Sequence, residues 1–157
     1  MKYRYSYETA IGRLTIVADE TTIIRISLNE VDNTDSALQE TSLIARTYKE
    51  IEEYLRGERK EFDIPITLSG TPFQLQVWKE LQNIPYGETC SYTEIAERVG
   101  HKGSCRAIGN ANRHNPILLL VPCHRVIAQD GSLAGYAGGS HVKRKLLKME
   151  KEKAHML

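Results

Sequence analysis

Cys123 is followed at once by His124 and Arg125, within the stretch Val121-Pro122-Cys123-His124-Arg125-Val126. A thiolate is a strong, soft nucleophile, and a nearby imidazole or positive charge favours its formation. The three residue types in a row therefore point to nucleophilic sulfur chemistry; the plainer alternative is a buried, inert cysteine. The apolar run Ile117-Leu118-Leu119-Leu120-Val121 before it reads as a buried strand or core segment. Pro122 removes a backbone donor and favours an extended residue before it, so the thiol is expected at the rim of a packed interior. Cys90 and Cys105 read as structural, and no cysteine–histidine spacing suits zinc, so no metal is expected. Gly135-Tyr136-Ala137-Gly138-Gly139 allows close backbone approach to a ligand. It lacks the flanks of a phosphate-binding loop, so no nucleotide cofactor is expected.

The elements that must position this sulfur fall into two halves, divided at Ser69-Gly70: residues 1–69 and residues 70–157. In the first, Tyr3–Tyr7, Leu14–Ala18 and Ile23–Leu28 read as an antiparallel three-stranded meander rich in β-branched residues. A polar loop over 29–33 follows. Ile44, Tyr48, Ile51 and Leu55 recur at helical spacing within a helix expected over 35–56, with Gly57 as its C-cap. Phe62–Ile66 alternates like an edge strand, its proline notwithstanding. This half carries packing signals and no chemical constellation, and reads as a structural α+β unit. In the second half Thr71-Pro72 opens a helix whose Phe73, Val77, Trp78, Leu81 and Ile84 share a face. Ser91 and Glu94 form a capping box for a short helix ended by Gly100. A second short helix over 104–112 completes a helix-turn-helix pattern. Gln129–Ser132 reads as a turn, and a last helix runs over 142–151, with Lys143, Arg144, Lys145 and Lys148 expected on a solvated basic face.

The chain has 157 residues, 41% hydrophobic and 26% charged, ordinary proportions for a globular protein. No run of residues is long and apolar enough to span a bilayer and the N-terminus carries no signal-peptide core. Three cysteines fit a reducing compartment, so a cytoplasmic location is expected, or a nuclear one if the source has a nucleus. Residues 1–69 hold nine basic against thirteen acidic side chains, whereas residues 70–157 hold twelve against seven. A basic second half suits an anionic partner.

Asn115-Pro116, five apolar residues and Pro122-Cys123-His124-Arg125-Val126, taken with Pro85-Tyr86-Gly87-Glu88, Ser91-Tyr92, Arg106-Ala107-Ile108-Gly109 and Tyr136-Ala137-Gly138-Gly139, resemble the O6-alkylguanine-DNA alkyltransferases. The likeness is specific over residues 70–157 and general over 1–69. It implies an α+β fold: an N-terminal three-stranded antiparallel sheet with a helix, then a mostly helical, winged-helix-like domain containing a helix-turn-helix. It implies a monomer that binds double-stranded DNA through the minor groove and flips out O6-alkylguanine. The alkyl group then moves irreversibly onto the protein's own cysteine, in a single turnover without cofactor, with O4-alkylthymine as a secondary substrate. Carried over by position, Cys123 is the alkyl acceptor, His124 its base through a water, Glu150 the residue that orients His124, and Tyr92 a donor to the departing guanine. Arg106 fills the vacated stack, with Tyr92, Ala107 and Arg113 also at the DNA. Asn115 braces the turn before the acceptor; Tyr136, Ala137, Leu118 and Val126 line the base pocket. Leu118 and Ala137 stand where some members carry proline and serine. The competing readings are a lesion binder without catalysis, a winged-helix transcription factor and a Cys-His hydrolase.

Overall fold

The computed structural model describes residues 1–30, 35–133, 136 and 138–155. Its chain divides into two compact units, one of residues 1–68 with 116–118 and one of residues 69–115 with 119–157. In the first, β1 (Tyr3–Thr9), β2 (Gly12–Ala18) and β3 (Ile23–Leu28) form the expected antiparallel meander. Leu14, Ile16, Val17 and Ala18 of the central β2 are wholly buried. The stretch 35–56 departs from the uniform helix expected. It begins with a two-residue strand, β4 (Ala37–Leu38), parallel to β1. The reason is the open edge of β1: the Ala37 N–H donates to the Lys2 carbonyl and the Gln39 N–H to the Arg4 carbonyl, so edge groups gain partners. Helix α1 (Ser42–Leu55) starts only afterwards, capped by the Thr41 hydroxyl, which accepts from the Ile44 N–H.

The segment 62–66 is likewise not a strand. Ile66 makes an isolated bridge to Ile23, whose N–H donates to the Pro65 carbonyl at 2.9 Å. Pro65 has no N–H with which to extend a ladder. Nor does the apolar run before the cysteine form a strand. Ile117 bridges to Ile26, and the chain then turns at Leu119, held at φ 74°. That left-handed conformation is costly for a residue with a Cβ. Leu119 is only 2% exposed, so its burial offsets the strain.

The second unit opens with α2 (Pro72–Leu81), whose capping box joins Thr71 and Gln74. Val77, Trp78 and Leu81 form its buried face. Trp78 donates its indole N–H to the Ala111 carbonyl at 2.9 Å. The short strand β5 (Cys90–Ser91) leads into α3 (Tyr92–Arg98), and the capping box of Ser91 and Glu94 is present. A turn with Gly100 and Gly103 at positive φ connects it to α4 (Cys105–Arg113). A single 3-10 turn, Cys123–Arg125, precedes β6 (Val126–Ile127), which pairs in parallel with β5. The unit ends with α5 (Ser140–Lys153). The architecture is mixed α+β. No helix among the described residues is long and apolar enough to cross a membrane.

Candidate active site

Pro122, at φ −82° and ψ 63°, makes a tight three-residue turn closed by the Cys123 N–H donating to the Val121 carbonyl at 2.8 Å. This turn delivers Cys123 into the interior, where it is wholly buried rather than at a rim. Burial pushes its thiol up to about 11, against the opposing effects of a hydrogen bond from Asn115 and the charge of Lys143. The resting group is therefore a protonated thiol. Nor is Arg125 the charge on the sulfur, because its side chain is committed elsewhere.

Arg125 donates through Nε to Glu150 Oε1 at 2.8 Å, through one terminal nitrogen to Oε2 at 3.1 Å and through the other to the Ile84 carbonyl at 2.8 Å. Its guanidinium also lies over the Tyr86 ring, 5.6 Å from the centroid. His124 Nε2 lies 2.7 Å from Glu150 Oε2. A carboxylate only accepts, so Nε2 carries the hydrogen and Nδ1 keeps the basic lone pair. The Gly87 N–H also donates to Glu150 Oε1, at 3.3 Å. Burial alone would raise the Glu150 carboxyl, but the hydrogen bonds and charges of His124 and Arg125 outweigh it and hold it at about 2. Burial lowers His124 below its ordinary range, Glu150 notwithstanding, so the imidazole rests neutral and is able to take a proton.

Tyr92, the first residue of α3, is half-buried; burial raises its hydroxyl, and Cys123 adds to the shift. Over its ring, 5.8 Å from the centroid, sits the Lys143 ammonium. Lys143 is a correction: it is fully buried, while Arg144, Lys145 and Lys148 are exposed as expected. Burial lowers its amine to about 8, with Cys123 acting in the opposite sense. The positive charge that favours the thiolate is thus Lys143, and the signal that could have found it is its spacing. Lys143, Leu146 and Glu150 recur at i, i+3 and i+7 on the buried face of α5.

Tyr136 is buried, its ring 6.4 Å from that of His124, and its hydroxyl has no hydrogen-bond partner among the described residues. Val126 is buried in β6 opposite Cys90. Asn115 donates to the Val121 carbonyl at 2.8 Å. Leu118 belongs to the first unit, where its N–H donates to the Ile26 carbonyl. Ala137 lies outside the described residues, as do Gly135 and part of the loop expected over 29–33. On α4, Ile108, Ala111 and Asn112 are buried, leaving Arg106, Ala107, Asn110 and Arg113 exposed along one stripe. Asn110, which the sequence reading passed over, extends that stripe. Among the described residues no group of histidine, cysteine or acidic side chains could hold a metal ion.

Two family descriptions match this sequence: "6-O-methylguanine DNA methyltransferase, DNA binding domain" over residues 72–152, and "6-O-methylguanine DNA methyltransferase, ribonuclease-like domain" over residues 1–68. The constitutive methylated-DNA–protein-cysteine methyltransferase of Bacillus subtilis is 41% identical over 159 residues, spanning 96% of each chain. The protein of that name from Mycobacterium bovis is 43% identical over 150 residues, 94% of this chain and 91% of its own. The crystal structure of Mycobacterium tuberculosis OGT in complex with DNA superposes with a TM-score of 0.91 at 41% identity, covering 96% of this chain and 94% of that one.

Proposed function

This chain belongs to the 6-O-methylguanine DNA methyltransferase family, and from that premise we propose that it repairs DNA by moving an alkyl group from O6-alkylguanine onto Cys123. The observation that carries the reading is a wholly buried cysteine next in sequence to a neutral histidine, itself held by an anionic glutamate. The thiol gives its proton to His124 through a water, and Glu150 steadies the resulting imidazolium. Sγ attacks the alkyl carbon, the carbon–sulfur bond forms as the carbon–O6 bond breaks, and the electron pair returns to the guanine ring. Tyr92 donates a proton to the departing base. The thioether has no route back to the thiol, so each molecule acts once.

A buried thiol pushed up to about 11 is a poor resting nucleophile. Positioning must therefore supply most of the acceleration, and well-oriented attack is worth roughly 7–11 kcal/mol. A base inside a duplex cannot reach a buried sulfur, so the guanine must leave the stack, which costs a few kcal/mol. The exposed stripe of α4, in a helix-turn-helix with α3, enters the minor groove, with Arg106 filling the gap and Ala107, Asn110 and Arg113 alongside. Asn115, Tyr136 and Val126 shape the base pocket, O4-alkylthymine is a secondary substrate, and the protein acts as a monomer in the cytoplasm. Its three cysteines are free.

The test is intact-protein mass spectrometry after incubation with a duplex containing O6-methylguanine. One methyl group per molecule is expected, mapped to Cys123 and absent from Cys123→Ser. An unchanged mass, or a methyl group on Cys90 or Cys105, overturns the reading.

A further inference from the structure

Asn112 is wholly buried in α4, on the same face as Ile108 and Ala111. Asparagine is a poor helix former, and a buried amide costs free energy unless both its ends are paired. Only one end is. Nδ2 donates to the Cys123 carbonyl at 3.1 Å, while Oδ1 has no hydrogen-bond partner among the described residues. The Cys123 carbonyl already accepts from the Val126 N–H, so the Asn112 bond does not rescue an orphaned backbone group. The same holds two residues earlier: the Val121 carbonyl accepts from the Cys123 N–H and also from Asn115. Two asparagines thus reach from α4 and its C-terminal edge to alternate carbonyls on either side of Pro122. Asn115 was expected to brace this turn; Asn112 was not.

We propose that Asn112 is a positioning residue for the alkyl acceptor. Its amide is a strut from the DNA-facing helix to the backbone of Cys123, fixing the direction of Sγ and passing the seating of α4 on DNA to the sulfur. The part concerning DNA rests on the function proposed above; the strut itself does not. Asn112 touches no reacting atom, so its loss leaves affinity intact and lowers the rate from the bound complex.

The experiment compares Asn112→Leu and Asn112→Ala with the wild type. Leu removes the donor together with the unpaired Oδ1, so its Tm is expected to equal or exceed that of the wild type, whereas Ala leaves a cavity and lowers it. Both variants are expected to bind undamaged duplex within about twofold of the wild type. Both should transfer methyl groups at saturating duplex about 10- to 100-fold more slowly, the range expected for a displacement on the order of 1 Å. Labelling of Cys123 by iodoacetamide, which needs no DNA, is expected to quicken in both as the turn loosens. A wild-type maximal rate in either variant, rate losses that follow Tm, or unchanged labelling overturns the strut. If the wild type itself takes no methyl group from DNA, the proposed function fails, and iodoacetamide labelling still decides the role of Asn112.

Discussion

Glu150 is the hinge of the site's electrostatics at the level of single residues, because it accepts from His124, Arg125 and Gly87 while 1% exposed. Glu150→Gln leaves the Arg125 guanidinium buried without its counter-charge. Urea unfolding at neutral pH is expected to show a loss of about 3–5 kcal/mol. The pH dependence follows from linkage. Glu150 is held at about 2 against an ordinary 4.5, so its stabilisation is complete above 4.5 and is lost as pH falls towards 2. His124 is lowered from 6.5, so the unfolded chain takes up that proton first and stability also drops as pH falls below 6.5. Cys123 works in the other direction: raised from 9.0 to about 11, it contributes stability that is lost as pH rises through that window. Denaturation midpoints measured against pH should show a smaller alkaline loss in Cys123→Ser than in the wild type, the remainder coming from other raised groups, Cys90 and Tyr136 among them. If His124 is the base, it serves only when neutral, and burial keeps it neutral below its ordinary value, so methyl-transfer rates should stay level through pH 6.5 and fall only at lower pH. The sequence motif pointed to Cys123 and His124, and Glu150 came only through the family resemblance. The sequence misplaced Lys143, since a lysine among four basic residues looks solvated until the helix face it occupies is seen to be buried.

At the level of elements, helix α4 carries the exposed stripe proposed to meet DNA on one side and Asn112, bonded to the Cys123 carbonyl, on the other. Arg106→Ala is expected to slow repair of duplex DNA by about tenfold or more, consistent with an unoffset unstacking cost of a few kcal/mol. Reaction with free O6-benzylguanine should be unaffected, and equal losses on both substrates would remove Arg106 from the stack. Trp78 anchors α2 to α4 through the Ala111 carbonyl. Trp78→Phe keeps the apolar contact and removes one hydrogen bond, the Ala111 carbonyl still accepting from the His114 N–H, and should cost about 0.5–1.5 kcal/mol in chemical denaturation without altering the Arg106 comparison. Helices α2 and α3 were legible because their signals are local: Thr71 with Gln74 and Ser91 with Glu94 close capping boxes within four residues. Strand β4 was not, because two residues acquire strand geometry only from the β1 edge beside them.

At the level of the whole molecule, alkylation of Cys123 is expected to change stability as well as chemistry. Cys123 is fully buried, so an added methyl group is expected to overpack its surroundings, at a cost of about 1–3 kcal/mol. Thermal denaturation before and after stoichiometric reaction should show a lower Tm for the spent protein. An unchanged Tm would mean that the pocket already accommodates the product. What the sequence by itself determined was whatever depends on neighbours along the chain: the meander of β1 to β3, the caps and periodicity of the helices, and the motif that marks Cys123 for its chemistry. The tertiary structure decided which charges meet. It set Arg125 on Glu150 rather than on the sulfur, buried Lys143 over Tyr92 and left the resting thiol protonated. The physical reason is that the free energy of a charge depends on burial and on partners brought close by folding. His124 and Glu150, 26 positions apart in the chain, carry no mark of their 2.7 Å contact until α5 packs against the turn that holds the cysteine.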